Sequence, residues 1–145
     1  NHVDDAGGRG AGSVYALRGP MAGDVDMSAA DAKLVGVEEA TQAGWSVTAG
    51  DFDGDGSPDM AIGAPSLDAA GAVWVVHGPV AGVVSLAEAA AVLRGDGDDE
   101  AGKAIATVGD MDADGRDDLL ISGHGDDDGG TDAGAAWLVL GSALF

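Results

Sequence analysis

The chain has 145 residues, 46% of them hydrophobic and 22% charged, with 26 glycines, no cysteine and a formal net charge of −20. That apolar content supports a packed core, and the glycines imply many turns. The acidic excess excludes nucleic acid and anionic membrane surfaces as partners, the lack of cysteine excludes a disulfide framework and cysteine-based zinc, and no apolar run approaches the roughly 18 residues of a membrane span.

Asn1-His-Val-Asp-Asp is polar and acidic and does not read as a secretion signal. The first strand signal lies in Ala11-Gly-Ser-Val-Tyr-Ala-Leu-Arg-Gly-Pro20, with a strand over residues 13–17. The same pattern returns as Ala70-Gly-Ala-Val-Trp-Val-Val-His-Gly-Pro79 and as Ala133-Gly-Ala-Ala-Trp-Leu-Val-Leu-Gly141. Gly12, Gly71 and Gly134 are separated by 59 and 63 residues, so the chain is built from a unit of about 60 residues. Tyr15, Trp74 and Trp137 share one position in these copies and are expected to pack as core aromatics between neighbouring units.

One complete unit spans residues 41–100 and reads as four strands, at about 45–50, 59–63, 71–77 and 89–94. Between the third and fourth, the alanines of Val80 to Ala91 allow a short helical turn or an irregular crossing, and the stretch reads better as the crossing. Residues 1–40 supply the third and fourth strands of a preceding unit, the fourth at Lys33 to Val37, and residues 101–145 supply the first three strands of a following one, ending on Ala136 to Leu140. Short antiparallel strands, four to a unit with glycine-rich corners, predict an all-β fold of β-propeller blades. Nine strands make about two to two and a half blades, too few to close a ring. We therefore expect a segment of a longer protein, its remaining blades supplied by the parent chain or by other chains.

The first two strands of the complete unit are joined by Asp51-Phe-Asp-Gly-Asp-Gly-Ser-Pro-Asp59, and its near copy is Asp110-Met-Asp-Ala-Asp-Gly-Arg-Asp-Asp118, again 59 residues on. Carboxylates at alternate positions crowd four negative charges into one bend, which repels itself unless a cation enters. Ca²⁺, which takes six to eight oxygens in irregular geometry, fits better than Mg²⁺. The expected ligands are Asp51, Asp53, Asp55, the carbonyl of Ser57 and Asp59 in the first loop, and Asp110, Asp112, Asp114, the carbonyl of Arg116 and Asp118 in the second. Gly56 and Gly115 then take the sharp turn, where positive φ costs them nothing. An EF-hand is excluded, since its twelfth position requires Glu and here carries Ile62 or Ile121, between strands rather than helices.

Other constellations carry less. Arg94-Gly95-Asp96 falls where the repeat calls for a strand end and turn, and the acidic runs Asp96 to Glu100 and Asp126 to Asp128 read as solvated loops. His2, His77 and His124 are scattered, with no second histidine at ligand spacing, which argues against zinc. The serines lack a nucleophile elbow or partnered histidine, no carboxylate pair has a glycosidase's spacing, and no phosphate-cradling glycine loop or basic aromatic surface is present. No catalytic residue is expected.

Taken together, Gly44-Trp-Ser-Val, Gly50-Asp-Phe-Asp-Gly-Asp-Gly-Ser-Pro-Asp59, Gly63-Ala-Pro65 and Gly71-Ala-Val-Trp-Val75 resemble the FG-GAP repeat of integrin α-subunit propellers and their bacterial relatives, over nearly the whole chain. Ala43-Gly44 and Ala101-Gly102 stand where that repeat has Phe-Gly, and Gly123-His-Gly125, followed by the acidic insertion through Asp132, replaces the second Gly-Ala-Pro. The resemblance implies a seven-bladed extracellular propeller with Ca²⁺ on the face opposite the usual ligand surface. It also implies a role in adhesion or recognition, with a protein or glycan ligand, for a secreted or cell-surface chain that is not an enzyme. A carbohydrate-binding or accessory propeller of a secreted hydrolase, and a structural element of a surface assembly, are the alternatives.

Overall fold

A computed structural model describes residues 7–145, which leaves His2 outside the described residues. These form ten strands: β1 (Ser13–Ala16), β2 (Ala32–Val35), β3 (Ser46–Gly50), β4 (Asp59–Ala64), β5 (Ala72–Val76), β6 (Gly82–Ser85), β7 (Ala91–Arg94), β8 (Ala104–Gly109), β9 (Asp118–Gly123) and β10 (Ala135–Val139). Helix is confined to three one-turn 3₁₀ segments, at Met27–Ala29, Leu86–Glu88 and Gly141–Ala143. The strands make three sheets, ordered β1-β2-β6, β3-β4-β5-β7 and β8-β9-β10. All pairings between named strands are antiparallel except one, so the all-β, blade-by-blade expectation holds.

The exception corrects the sequence reading of residues 80–91. In place of an irregular crossing, Gly82–Ser85 is a strand that leaves its own blade and pairs in parallel with β2 of the preceding one, Ala32 opposite Gly82 and Val35 opposite Ser85. Arg18 fixes the approach: its guanidinium donates to the carbonyl of Val80 at 3.1 Å, and its backbone N–H donates to Asp31 at 2.7 Å. The Ser85 hydroxyl then accepts from the Ala87 amide, capping the one-turn helix that drives Leu86 into the core. One blade thereby lends a strand to its neighbour, and the strand count is ten rather than nine.

Period-two alternation assigns each side chain to one of two inter-blade cores. Ile62, Trp74 and Val76 face the preceding sheet and pack with Val14, Leu34 and Leu86. Ala61, Val73 and Val75 face the following sheet and pack with Phe52, Leu119, Ile121 and Leu144. Because β5 is covered on both sides, all five of its residues are buried. The shared aromatic position behaves as expected at Trp74, which is 2% exposed, and at Trp137, which packs on the second core. Tyr15 differs, because its place in the alternation faces away from the complete blade, in a cross-strand row with Lys33 and Val83. The Lys33 ammonium sits 5.4 Å from the Tyr15 ring centroid.

Close backbone approach holds the inner strands together. A Cβ on Gly63 would fall 2.3 Å from the Gly102 carbonyl oxygen and 2.2 Å from the Ser46 hydroxyl, which itself donates to that carbonyl at 2.6 Å. Further out, the hydroxyls of Thr48 and Thr107 meet at 3.0 Å, and Thr107 donates to the Ala49 carbonyl at 2.9 Å. At the rim the Lys103 ammonium lies over the Trp45 ring, 4.8 Å from its centroid, and donates to Glu100 at 2.7 Å.

Truncating Trp74 to Ala should cost about 3–5 kcal/mol in denaturant unfolding, whereas Leu138→Ala, on the exposed face of the third sheet, should stay within about 0.5 kcal/mol. Glu100 yields a pH signature. Its hydrogen bond from Lys103 holds its carboxyl below the ordinary 4.5, so the pair stabilises the fold above that value and ceases to do so as pH falls through the lower folded one. With both side chains more than a third exposed, that contribution is below about 1 kcal/mol. Glu100→Gln should cost that little near neutrality and nothing in acid, as read from melting curves at low salt.

Candidate metal centre

The first loop folds on its own aspartates. Asp51 accepts at Oδ1 from the Gly54 amide at 2.8 Å and at Oδ2 from the Gly56 amide at 2.9 Å. Asp53 and Asp55 each accept from the amide two residues on, that of Asp55 at 2.9 Å and that of Ser57 at 2.6 Å. Such side-chain-to-backbone turns pull alternate side chains to the inside of one bend, and a carboxylate oxygen from each of Asp51, Asp53 and Asp55 lies within 4.8 Å of the others. Gly56, with φ of +85°, takes the turn in the left-handed region, as does Gly115 with +89° in the second loop.

The ninth aspartate does something different. Asp59 is wholly buried, accepting from the Phe52 amide at 3.0 Å on one oxygen and from the Gly78 amide at 2.8 Å on the other. It therefore ties the loop's second residue to the turn after β5. Asp118 repeats this, also wholly buried, with the amides of Met111 at 2.8 Å and Gly141 at 2.9 Å. In the second loop Asp110 accepts from the amides of Asp114 and Gly115, and Asp114 accepts from that of Arg116. Asp110, Asp112 and Asp118 gather within 4.8 Å, while Asp114 stands outside that group. Ser57 and Arg116 enter the loops' hydrogen bonding through the amides just described.

The two loops touch. The Asp51 amide donates to the Asp117 carboxylate at 2.9 Å, and the Asp117 amide returns a bond to the Asp51 carbonyl at 2.8 Å. Phe52, the second residue of the first loop, is 0% exposed beneath the following blade, whereas its counterpart Met111 is 63% exposed. A third group joins from just past the end of β5: His77 Nδ1 lies 2.8 Å from Asp53 Oδ2 and 3.7 Å from Asp59 Oδ1, with its ring tilted against that of Phe145, centroids 4.3 Å apart. In the sequence His77 is far from the other histidines; its signal is its place beside Gly78, whose amide binds Asp59.

Crowding shows in the electrostatics. Burial, and then the charge of Asp53, raises the Asp59 carboxyl above its ordinary value against the pull of the Gly78 and Phe52 amides and of His77. Lost hydration in the packed loop, and then the charges of Asp114, Asp118 and Asp110, push Asp112 up in the same way. For an acid shifted upward, ionisation costs the folded state free energy. Both loops therefore gain from positive charge.

Stacked sheets of short, mostly antiparallel strands, two of them with an acidic loop between their first two strands, define this molecule as a set of β-propeller blades. Residues 43–76, which hold the first loop and the strands on both sides of it, match the family model of the FG-GAP repeat, consistent with an integrin α-like propeller family. No curated protein matches the chain.

Asp117→Ala removes a charged acceptor between loops and should cost about 1–2 kcal/mol of stability, measured by urea unfolding. Phe52→Ala empties the site beneath the first loop and should cost about 3–5 kcal/mol, while Met111→Ala stays near wild type.

Proposed function

We propose that this chain is a calcium-stabilised propeller segment of an extracellular binding or adhesion protein, with Ca²⁺ held in loops 51–59 and 110–118. One observation carries the reading: two loops at one repeat distance gather aspartate carboxylates, Asp51, Asp53 and Asp55 in the first and Asp110, Asp112 and the buried Asp118 in the second, and the carboxyls of Asp59 and Asp112 are raised. Asp51, Asp53, Asp55, Asp59 and the Ser57 carbonyl would hold the first ion, and Asp110, Asp112, Asp114, Asp118 and the Arg116 carbonyl the second. These donors are hard oxygens, matching Ca²⁺ better than softer ions. When bound, the ion neutralises the carboxylates; the chain's own residues already set the bend and tie it to the strands, so binding stiffens the edge that presents a ligand.

The extracellular and adhesive parts rest on kinship with the FG-GAP repeat, and the absence of an enzymatic role rests on the same kinship. No helix of the described residues is long and apolar enough to cross a membrane. Further blades, from the parent chain or from other chains, would cover the two outer faces, where Tyr15, Lys33 and Val83 form one row and Leu120 pairs with Leu138 on the other. Val83 is 77% exposed and Leu138 48%, apolar surface that blade-on-blade packing would bury.

With Ca²⁺ at about 100 times its dissociation constant, each site should add about 2.7 kcal/mol, so calcium should raise the melting temperature and chelator should lower it. Asp53→Ala should reduce bound calcium from two ions to one in equilibrium dialysis. Identical melting curves in calcium and chelator would overturn the reading.

A further inference from the structure

Repeat symmetry places three residues at the end of the third strand of each blade: Arg18, His77 and Leu140. The frames of the last two are equivalent, because the amide of the next residue, Gly78 or Gly141, donates to the buried ninth aspartate in both. The two acidic loops therefore share a backbone plan and differ in what overhangs them. The corresponding position in the second blade carries the hydrocarbon Leu140, and the first has an imidazole directed at the carboxylates.

We propose that His77 makes the 51–59 loop a mixed nitrogen and oxygen site that also binds a borderline transition-metal cation of the zinc class, through His77 Nδ1, Asp53 and Asp59, whereas the 110–118 loop is an all-oxygen site. One oxygen each from Asp53 and Asp59 lies with the histidine nitrogen in a group whose members are all within 4.8 Å of one another. Donors sharing an ion at roughly 2.0–2.2 Å stand about 3–4 Å apart; the His77 nitrogen is 3.7 Å from the Asp59 oxygen, within that spacing, and 2.8 Å from the Asp53 oxygen, a hydrogen-bond separation that an entering ion would widen. The surroundings aim these donors. Asp59 is locked by two backbone amides, Asp53 is held at its other oxygen by the Asp55 amide, and the imidazole rests on Phe145. The ring binds as neutral imidazole through Nδ1, with its proton on Nε2. Imidazole favours zinc and its neighbours over calcium, to which carboxylates alone are suited.

The inference rests on the calcium reading in treating residues 51–59 as a cation loop, and the two are separable by experiment. The full chain, freed of metal, is titrated with Zn²⁺ alone and with Ca²⁺ alone by calorimetry, as wild type, His77→Gln and Leu140→His. The His77 ring nitrogens are followed by NMR, assigned from their absence in His77→Gln. Wild type should take up one Zn²⁺ with displacement of the His77 Nδ1 resonance, and His77→Gln should bind it at least about tenfold more weakly, the lower end of what even supporting residues of metal sites cost. Leu140→His should gain a second such site, and all three should still bind two Ca²⁺. Unmoved His77 resonances, or equal Zn²⁺ affinity in His77→Gln, would overturn the proposal and show His77 to be a hydrogen-bond partner of Asp53 only. Binding of His77-dependent Zn²⁺ without any Ca²⁺ would support it and overturn the calcium reading.

Discussion

The structure depends on a buried carboxylate that grips two backbone amides from different parts of its blade. Asp59 and Asp118 begin the second strand of their blades, are fully enclosed, and hold the acidic loop on one side and the turn after the third strand on the other. An ionised group taken out of water is tolerated only when its acceptor capacity is used, and here two charge-assisted bonds per carboxylate use it. That anchor ties the loop to its blade, because the amides it binds belong to the loop's second residue and to the glycine that follows residue 77 or 140.

Packing between blades supplies the rest of the rigidity. Each sheet is thin, and its apolar rows are useful only against a neighbour, which is why β5 is buried throughout while Leu138 of β10 remains exposed. The loan of β6 to the preceding sheet and the paired bonds between Asp51 and Asp117 connect blades by backbone as well as by side chains. A cation bound in one loop would thus act on a scaffold that continues directly into the other.

Much of this was legible from the chain. The period near 60 residues, the alternation within strands and the position of both acidic bends fixed four strands of the complete blade to within about two residues. Those signals are local, since a turn's aspartates bind amides within a few residues and a strand's faces are set by parity. Gly56 and Gly115 could be placed at left-handed turns for the same reason.

Folding alone decided the partners that are distant in sequence. Val83 and Val84 pair with a strand fifty residues earlier on another blade, and no periodicity within one unit expresses that. His77 looked solitary because its companions, Asp53 and Asp59, are reached across a sheet. Tyr15 shared a position with Trp74 and Trp137, but which side of a blade finds a neighbour is a property of the stack. Residue order determined what each blade is made of and where its charge collects. The tertiary arrangement determined which blade each face meets and which side chain overhangs each acidic loop, because strand pairing and sheet stacking join residues by proximity in space, to which local patterning is blind.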